Sequence, residues 1–155
     1  MSEEVAVVCF YLGEKRYGAN VHQVFEAIRM VEITEVPDSP NFVAGIINLR
    51  GKVIPVIDLR KRFRIPSTSY TLSNIILAGE IEGKTVGLVV DSVSSVLRIP
   101  YSSIDVLDEE ISDTLGTIEG IAKLPDGLLL ILNLDKILNF EEKKELELVA
   151  GSVGE

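Results

Sequence analysis

A single histidine and a single cysteine bound the chemistry open to this chain. A serine–histidine–acid triad would have to use His22, and a metal site built on two histidines has no second one. His22 follows Asn20, which is placed as a helix N-cap, and lies off the apolar stripe beyond it, so it reads as a solvated residue. Cys9 stands among Val7, Val8 and Phe10, the setting of a buried thiol behaving as a small hydrophobe. Gly45 and Gly51 lack the spacing of a phosphate cradle, and Gly51 reads as the turn glycine of a hairpin. Glu109, Glu110 and Asp113 lack the alternating ligands of a calcium loop and read as a solvated acidic stretch. The inventory predicts a protein without catalytic groups, metal or cofactor.

The elements that carry these residues are mostly strands. Val, Ile and Leu dominate a hydrophobic fraction of 46%, punctuated by 12 glycines, a composition that favours β structure. A formal charge of −9 argues against nucleic acid and against adhesion to anionic lipid. Met1-Ser2-Glu3-Glu4 is no signal peptide, and no apolar run is long enough for a membrane span. The expectation is a cytoplasmic protein with no direct membrane insertion.

Val5 to Leu12 is too continuously apolar for a strand with one face in water. It turns at Gly13 to Arg16 into a second strand, Tyr17 to Ala19. Val21, Val24, Phe25 and Ile28 then fall at i, i+3, i+4 and i+7, which predicts a short amphipathic helix capped by Asn20. Val31 to Val36 reads as strand, and Pro37 and Pro40 fix a loop. Gly45 to Arg60 reads as two strands joined at Arg50-Gly51-Lys52 and running into a short helix that opens at Asp58. Ile65 to Thr71 is a polar connector. Ser73 to Glu80 and Lys84 to Val90 form a hairpin turned at Glu82-Gly83. Pro100 ends the element containing Val93, Val96 and Leu97, and Asp105 to Asp113 is an acidic excursion. Thr117 to Leu124 and Leu128 to Leu132 pair about Pro125-Asp126-Gly127. Asn139 and Glu142 have capping-box spacing before a helix from Phe140 to Val149.

The chain repeats itself. Gly45, Ile46, Leu49 and Leu59 recur as Gly120, Ile121, Leu124 and Leu134 (120 − 45 = 75), and Lys15, Gly18, Val21 and Val24 recur as Lys84, Gly87, Val90 and Val93 (84 − 15 = 69). The growing offset places six extra residues in the second copy, assigned to Asp108 to Asp113. Two small β-barrels related by duplication are expected, because closing each sheet removes edges that would pair with other chains.

Gly45 to Arg60, preceded by Pro37-x-x-Pro40-x-Phe42-Val43, resembles the signature of the CheW family of bacterial chemotaxis coupling proteins. Val86 to Val93 and Gly120 to Leu138 resemble its second half. The resemblance implies a mainly β fold of two SH3-like five-stranded barrels with short helices and a C-terminal helix. The 155 residues are expected to form a single domain, with about 14–66 in the first barrel, about 73–139 plus the N-terminal strand in the second, and 140–155 as helix and tail. It also implies a stand-alone, non-catalytic adaptor. Its partners would be the cytoplasmic tip of methyl-accepting chemoreceptors and the regulatory domain of the histidine kinase CheA, in membrane-associated receptor arrays.

Carried over by position, the resemblance puts Val8, Val21, Val24, Ala27 and Val93 in a receptor-binding groove between the barrels, where a helix face would dock. Periodicity alone makes all five core residues. On the groove reading, Val24→Lys keeps the fold and abolishes receptor binding. The resemblance also implies that Arg50 serves coupling through an ion pair with Glu26, as an orienting contact, since exposed pairs add little stability. The competing class is a β-barrel binding a small ligand or second messenger, which would need Arg50, Arg60 and Arg62 to converge on a pocket.

Overall fold

The computed structural model describes residues 3–66, 69–106 and 117–151. The chain folds as β1 (Glu4–Leu12), β2 (Lys15–Asn20), β3 (Val24–Arg29), β4 (Val43–Leu49), β5 (Lys52–Asp58), α1 (Leu59–Arg62), β6 (Ile75–Ile81), β7 (Lys84–Val90), β8 (Ser92–Pro100), β9 (Ile104–Val106), β10 (Ile118–Leu124), β11 (Gly127–Leu132) and α2 (Phe140–Gly151). Among the described residues, eleven strands and two α-helices make the fold mainly β. Much of the acidic excursion assigned to Asp105–Asp113, with the insertion at Asp108 to Asp113, lies outside the described residues.

Two sheets form, but chain order does not divide them. One runs β3-β6-β7-β5-β4 and the other β8-β1-β2-β11-β10-β9. The hairpin of the first copy, β1–β2, therefore sits in the sheet of the second, and β6–β7 sits with β3 to β5. The expected division at 14–66 and 73–139 is corrected accordingly, because β2 pairs in parallel with β11, and β7 with β5. The copies have exchanged hairpins.

Register shows the duplication residue by residue. Ile131 faces Gly18 and Val56 faces Gly87, positions related by the two offsets. Val24 faces Gly79 and Val93 faces Phe10, each beside a β-bulge. The β4–β5 and β10–β11 pairs slip between Val43 and Gly45 and between Ile118 and Gly120. Thr34 bridges to Ile46 where Asp105 pairs with Ile121. Two of the six extra residues therefore precede Asp105, around the 3-10 turn Tyr101–Ser103, rather than all lying in the acidic stretch. The same comparison explains a sixth strand in the second sheet, since β9 is a lone bridge in the first copy.

The helix expected over Val21 to Ile28 is instead a turn followed by β3. The Asn20 side chain accepts a hydrogen bond from the His22 N–H at 2.9 Å, a side-chain turn that mimics an N-cap. Val24 and Ile28 lie four apart, an even spacing that fits a strand as well as a helix. Phe25, which completed the helical stripe, is the extra residue of the bulge between Val24 and Glu26 and stands 50% exposed. The strand expected over Val31 to Val36 reduces to the bridge at Thr34. Elsewhere the local signals hold. Asp58 caps α1 by accepting from the Lys61 N–H at 3.1 Å, and the Asn139–Glu142 box closes reciprocally at 2.8 Å in both directions.

Three apolar clusters follow from this layout. Val7, Cys9, Ala122, Leu129 and Ile131 fill one barrel, and Ile47, Ile54, Val56, Ile76 and Val89 fill the other. The largest lies between the sheets, with Phe10, Leu12, Tyr17 and Leu132 from one meeting Val43, Ile57, Leu77 and Leu88 from the other. Gly45 holds this geometry at φ 148°, where a β-carbon would collide with the Thr34 carbonyl. We expect Gly45→Ala to cost about 2 kcal/mol or more and to lower the melting temperature by several degrees in a calorimetric scan.

Candidate functional site

β3 and β8 are equivalent strands, each at the end of its sheet's order. Val24 on β3 is 6% exposed and belongs to the central cluster, and Val8 and Val93 pack against that cluster half-buried. All three thus border the same cluster. Val21 is half-buried in the turn after β2, where its N–H donates to the Ala6 carbonyl at 3.1 Å. Ala27 is exposed on β3. Val24 is buried among apolar neighbours, the core case in which Val24→Lys costs stability rather than only receptor binding.

Val96, in the sequence only part of the element ended by Pro100, belongs with this surface. It lies across from Val8 on β1, stands 59% exposed, and is the counterpart of Ala27 under the offset of 69. That offset was the signal that could have found it. Phe25 is exposed on the bulge beside Glu26 rather than on a helical stripe.

Arg50 and Glu26 form a two-pronged pair. Arg50 Nη1 donates to Glu26 Oε1, and Nη2 donates to Oε2 at 2.7 Å. Arg50 sits in the two-residue turn between β4 and β5 at φ 51°, followed by Gly51 at φ 84°, the left-handed pair that a tight hairpin requires. Asn48 supports the turn by accepting from the Gly51 N–H at 2.8 Å. Arginine has no intrinsic preference for that conformation, but Glu82 holds the same position at φ 50° in the β6–β7 turn. The backbone alone therefore does not single out Arg50; its fork onto Glu26 does.

At the far end of β5, α1 anchors both copies. Arg60 bonds Asp91 through Nε at 2.8 Å and Nη2 at 2.5 Å, and the Gly13 N–H donates to the same carboxylate at 2.6 Å. The Arg60 hydrogen bond holds the Asp91 carboxyl below its ordinary value, aided by the Gly13 N–H and by the arginine charge, against partial burial. Asp58, buried beneath, accepts from the Tyr70 hydroxyl at 2.5 Å. Burial first, then this bond, push the Tyr70 pKa upward. Cys9 is buried and its thiol is likewise pushed up by burial.

The three arginines of the ligand-binding alternative do not converge. Arg50 pairs with Glu26, Arg60 with Asp91, and Arg62 with Glu142 at 3.9 Å. Among the described residues no group of three His, Cys, Asp or Glu side chains is arranged to hold a metal ion. No described helix is long and apolar enough to cross a membrane.

The CheW-like domain family matches residues 6–142. The chain belongs to the CheW family. It is 35% identical over 144 residues to the chemotaxis protein CheW of Thermotoga maritima, covering 92% of this chain and 93% of that one. It is 32% identical over 145 residues to the CheW of Klebsiella aerogenes, covering 92% and 87%. The crystal structure of the scaffolding protein TtCheW from Thermoanaerobacter tengcongensis superposes with a TM-score of 0.82 at 39% identity, covering 90% of this chain and 96% of that one. With two curled sheets in this arrangement, the SH3-like barrel description of the CheW family fits the fold.

Two outcomes follow from the geometry. Val24→Lys places a charge in the central cluster and should cost about 3 kcal/mol, a fall of roughly 6–12 °C in melting temperature followed by circular dichroism. The Asp91 contribution carries a sign. Its pKa is lowered on folding, so its stabilisation is complete above the unfolded carboxylate value and is lost as pH falls through the lower folded value. Asp91→Asn should therefore be less stable than the parent at neutral pH, with the difference shrinking in acid denaturant titrations.

Proposed function

We propose that this CheW-family chain is a non-catalytic chemotaxis adaptor that couples chemoreceptors to the kinase CheA. The observation that supports it best is the Arg50–Glu26 fork, which joins the β4–β5 turn to the strand bearing Val24 and Ala27. In this reading Arg50, whose side chain remains 73% exposed, orients the surface that receives the receptor's helical tip. Glu26 prevents the guanidinium from swinging away, and the second copy has Pro125 at the corresponding turn position.

The apolar part of the surface divides by accessibility. Val8, Val93 and Ala27 are accessible in part or in full, and Val96 extends them along β8. Val21 lies at their margin. Val24 contributes from beneath by shaping the two strands. Burying a valine side chain is worth roughly 1.5–3 kcal/mol, enough for a few such contacts to hold a helix. The regulatory domain of CheA would bind elsewhere on the barrels, leaving the receptor surface free.

The test is assembly. The chain, a chemoreceptor cytoplasmic fragment and CheA are mixed, and both co-sedimentation and kinase activity are measured. A three-component complex with altered kinase activity is expected. Arg50→Glu should lose receptor binding without losing its thermal transition, and Glu26→Arg in the same chain should restore part of it. Absence of any complex with cognate partners would overturn the adaptor reading.

A further inference from the structure

The duplication leaves one seat in the second barrel without the element that fills its counterpart in the first. α2 lies against β5 and the β6–β7 turn with Leu146 and Val149 buried. Lys143 bonds Glu82 at 2.5 Å, and Glu147 pairs with Lys84. A cleft of about 380 Å³ along this contact is lined by Pro55, Lys84 and Thr85 with Leu146 and Glu147 of the helix. Moved by the two offsets, Pro55 becomes Leu130, Lys84 becomes Lys15 and Thr85 becomes Arg16. These three residues line a cleft of about 600 Å³ on the second barrel, with Leu128 and Glu14.

Among the described residues, no helix borders this second cleft. The covalent reason is visible in the chain. After the 3-10 turn Leu134–Lys136 the second copy continues into α2, whereas after α1 the first copy reaches Pro66 and runs on to β6. Pro66 is held there by Arg60 Nη1, which donates to its carbonyl at 2.5 Å.

The chemistry of the occupied seat is repeated at the open one. Glu82 and Lys84 flank the first; under the offset of 69 they fall on Gly13 and Lys15, and Glu14, next in the turn, supplies the acid at the second. Neither Glu14 nor Lys15 has an ion-pair partner among the described residues, whereas Arg16 is committed to Asp126 by two bonds of 3.0 Å. Leu128, 59% exposed, provides the apolar surface.

We propose that this cleft docks an amphipathic helix of a partner protein with the side-chain pattern of α2. That pattern is a lysine toward Glu14, a leucine three residues on against Leu128 and Leu130, and a glutamate one further toward Lys15. In α2 these are Lys143, Leu146 and Glu147. The surface is separate from the one assigned to the receptor, so either assignment can fail alone.

The probe is a peptide with the sequence of residues 139–151, cross-linked between positions 141 and 145 to hold the helix. It is titrated into the isotope-labelled full chain and followed by amide chemical shifts. Saturable shifts at Arg16, Gly127, Leu128 and Leu130 are expected at or below about 1 mM peptide. Lys15→Glu and Leu128→Asp, both at exposed positions, should each weaken binding at least about tenfold while keeping the parent's melting temperature. A peptide carrying Glu147→Lys should regain binding to the Lys15→Glu chain. Three results would overturn the proposal: no shifts in the cleft, shifts confined to Pro55, Lys84 and Val86 as the peptide displaces α2, or sedimentation showing a dimer whose second copy already fills the cleft.

Discussion

β1 has two apolar faces, and both must be covered. Val7 and Cys9 point into one barrel, while Phe10 and Leu12 enter the cluster shared with the other. That shared cluster is the constraint on which the remaining structure depends. It can form only because the two copies exchanged hairpins, which places strands of each copy on both sides of it. Separating the barrels would expose Phe10, Leu77, Leu88 and Leu132 together, a loss that a chain of marginal net stability could not withstand. The molecule is therefore one cooperative unit built from two barrels.

The candidate site inherits its form from that constraint. β3 and β8 are related by the exchange and bring Val24 and Val93 to the same cluster. One consequence is a division of labour among side chains that the family resemblance groups together. Val24 is committed to packing, while Val8, Val93, Ala27 and Val96 retain accessible surface. The ion pairs follow a similar logic. Arg60–Asp91 ties α1 to the β1–β2 turn and to β8, a contact between copies, whereas Arg50–Glu26 lies within one sheet and leaves the guanidinium open to solvent.

Asymmetry between the copies is as informative as their likeness. The first copy keeps Arg50-Gly51 in its turn, and the second has Pro125-Asp126. The second extends into α2, and the first does not. The turn difference touches no cluster residue, whereas α2 adds Leu146 and Val149 to the central cluster. Turns and termini are where a duplicated fold can acquire distinct contacts without losing its core.

Read alone, the amino-acid sequence determined the strands of both hairpins, the α1 and α2 caps, the duplication and the family. Each of these is a local signal: turn chemistry at Gly51 and Gly83, side-chain acceptors at Asp58 and Asn139, and apolar runs of strand length. It misread Val21 to Ile28, because apolar Phe25 and Ala27 stand on the exposed face of β3 and leave a spacing that suits either period. Only the tertiary structure decided which copy each hairpin joins, since exchanging two hairpins of similar pattern changes no local interaction. Only the tertiary structure also decided that Val24 is buried and Val96 exposed, because burial depends on which strands arrive from the other copy. The Arg50–Glu26 pair stands between these cases. Family resemblance named its members, and barrel curvature brought residues from a turn and an edge strand into bonding distance.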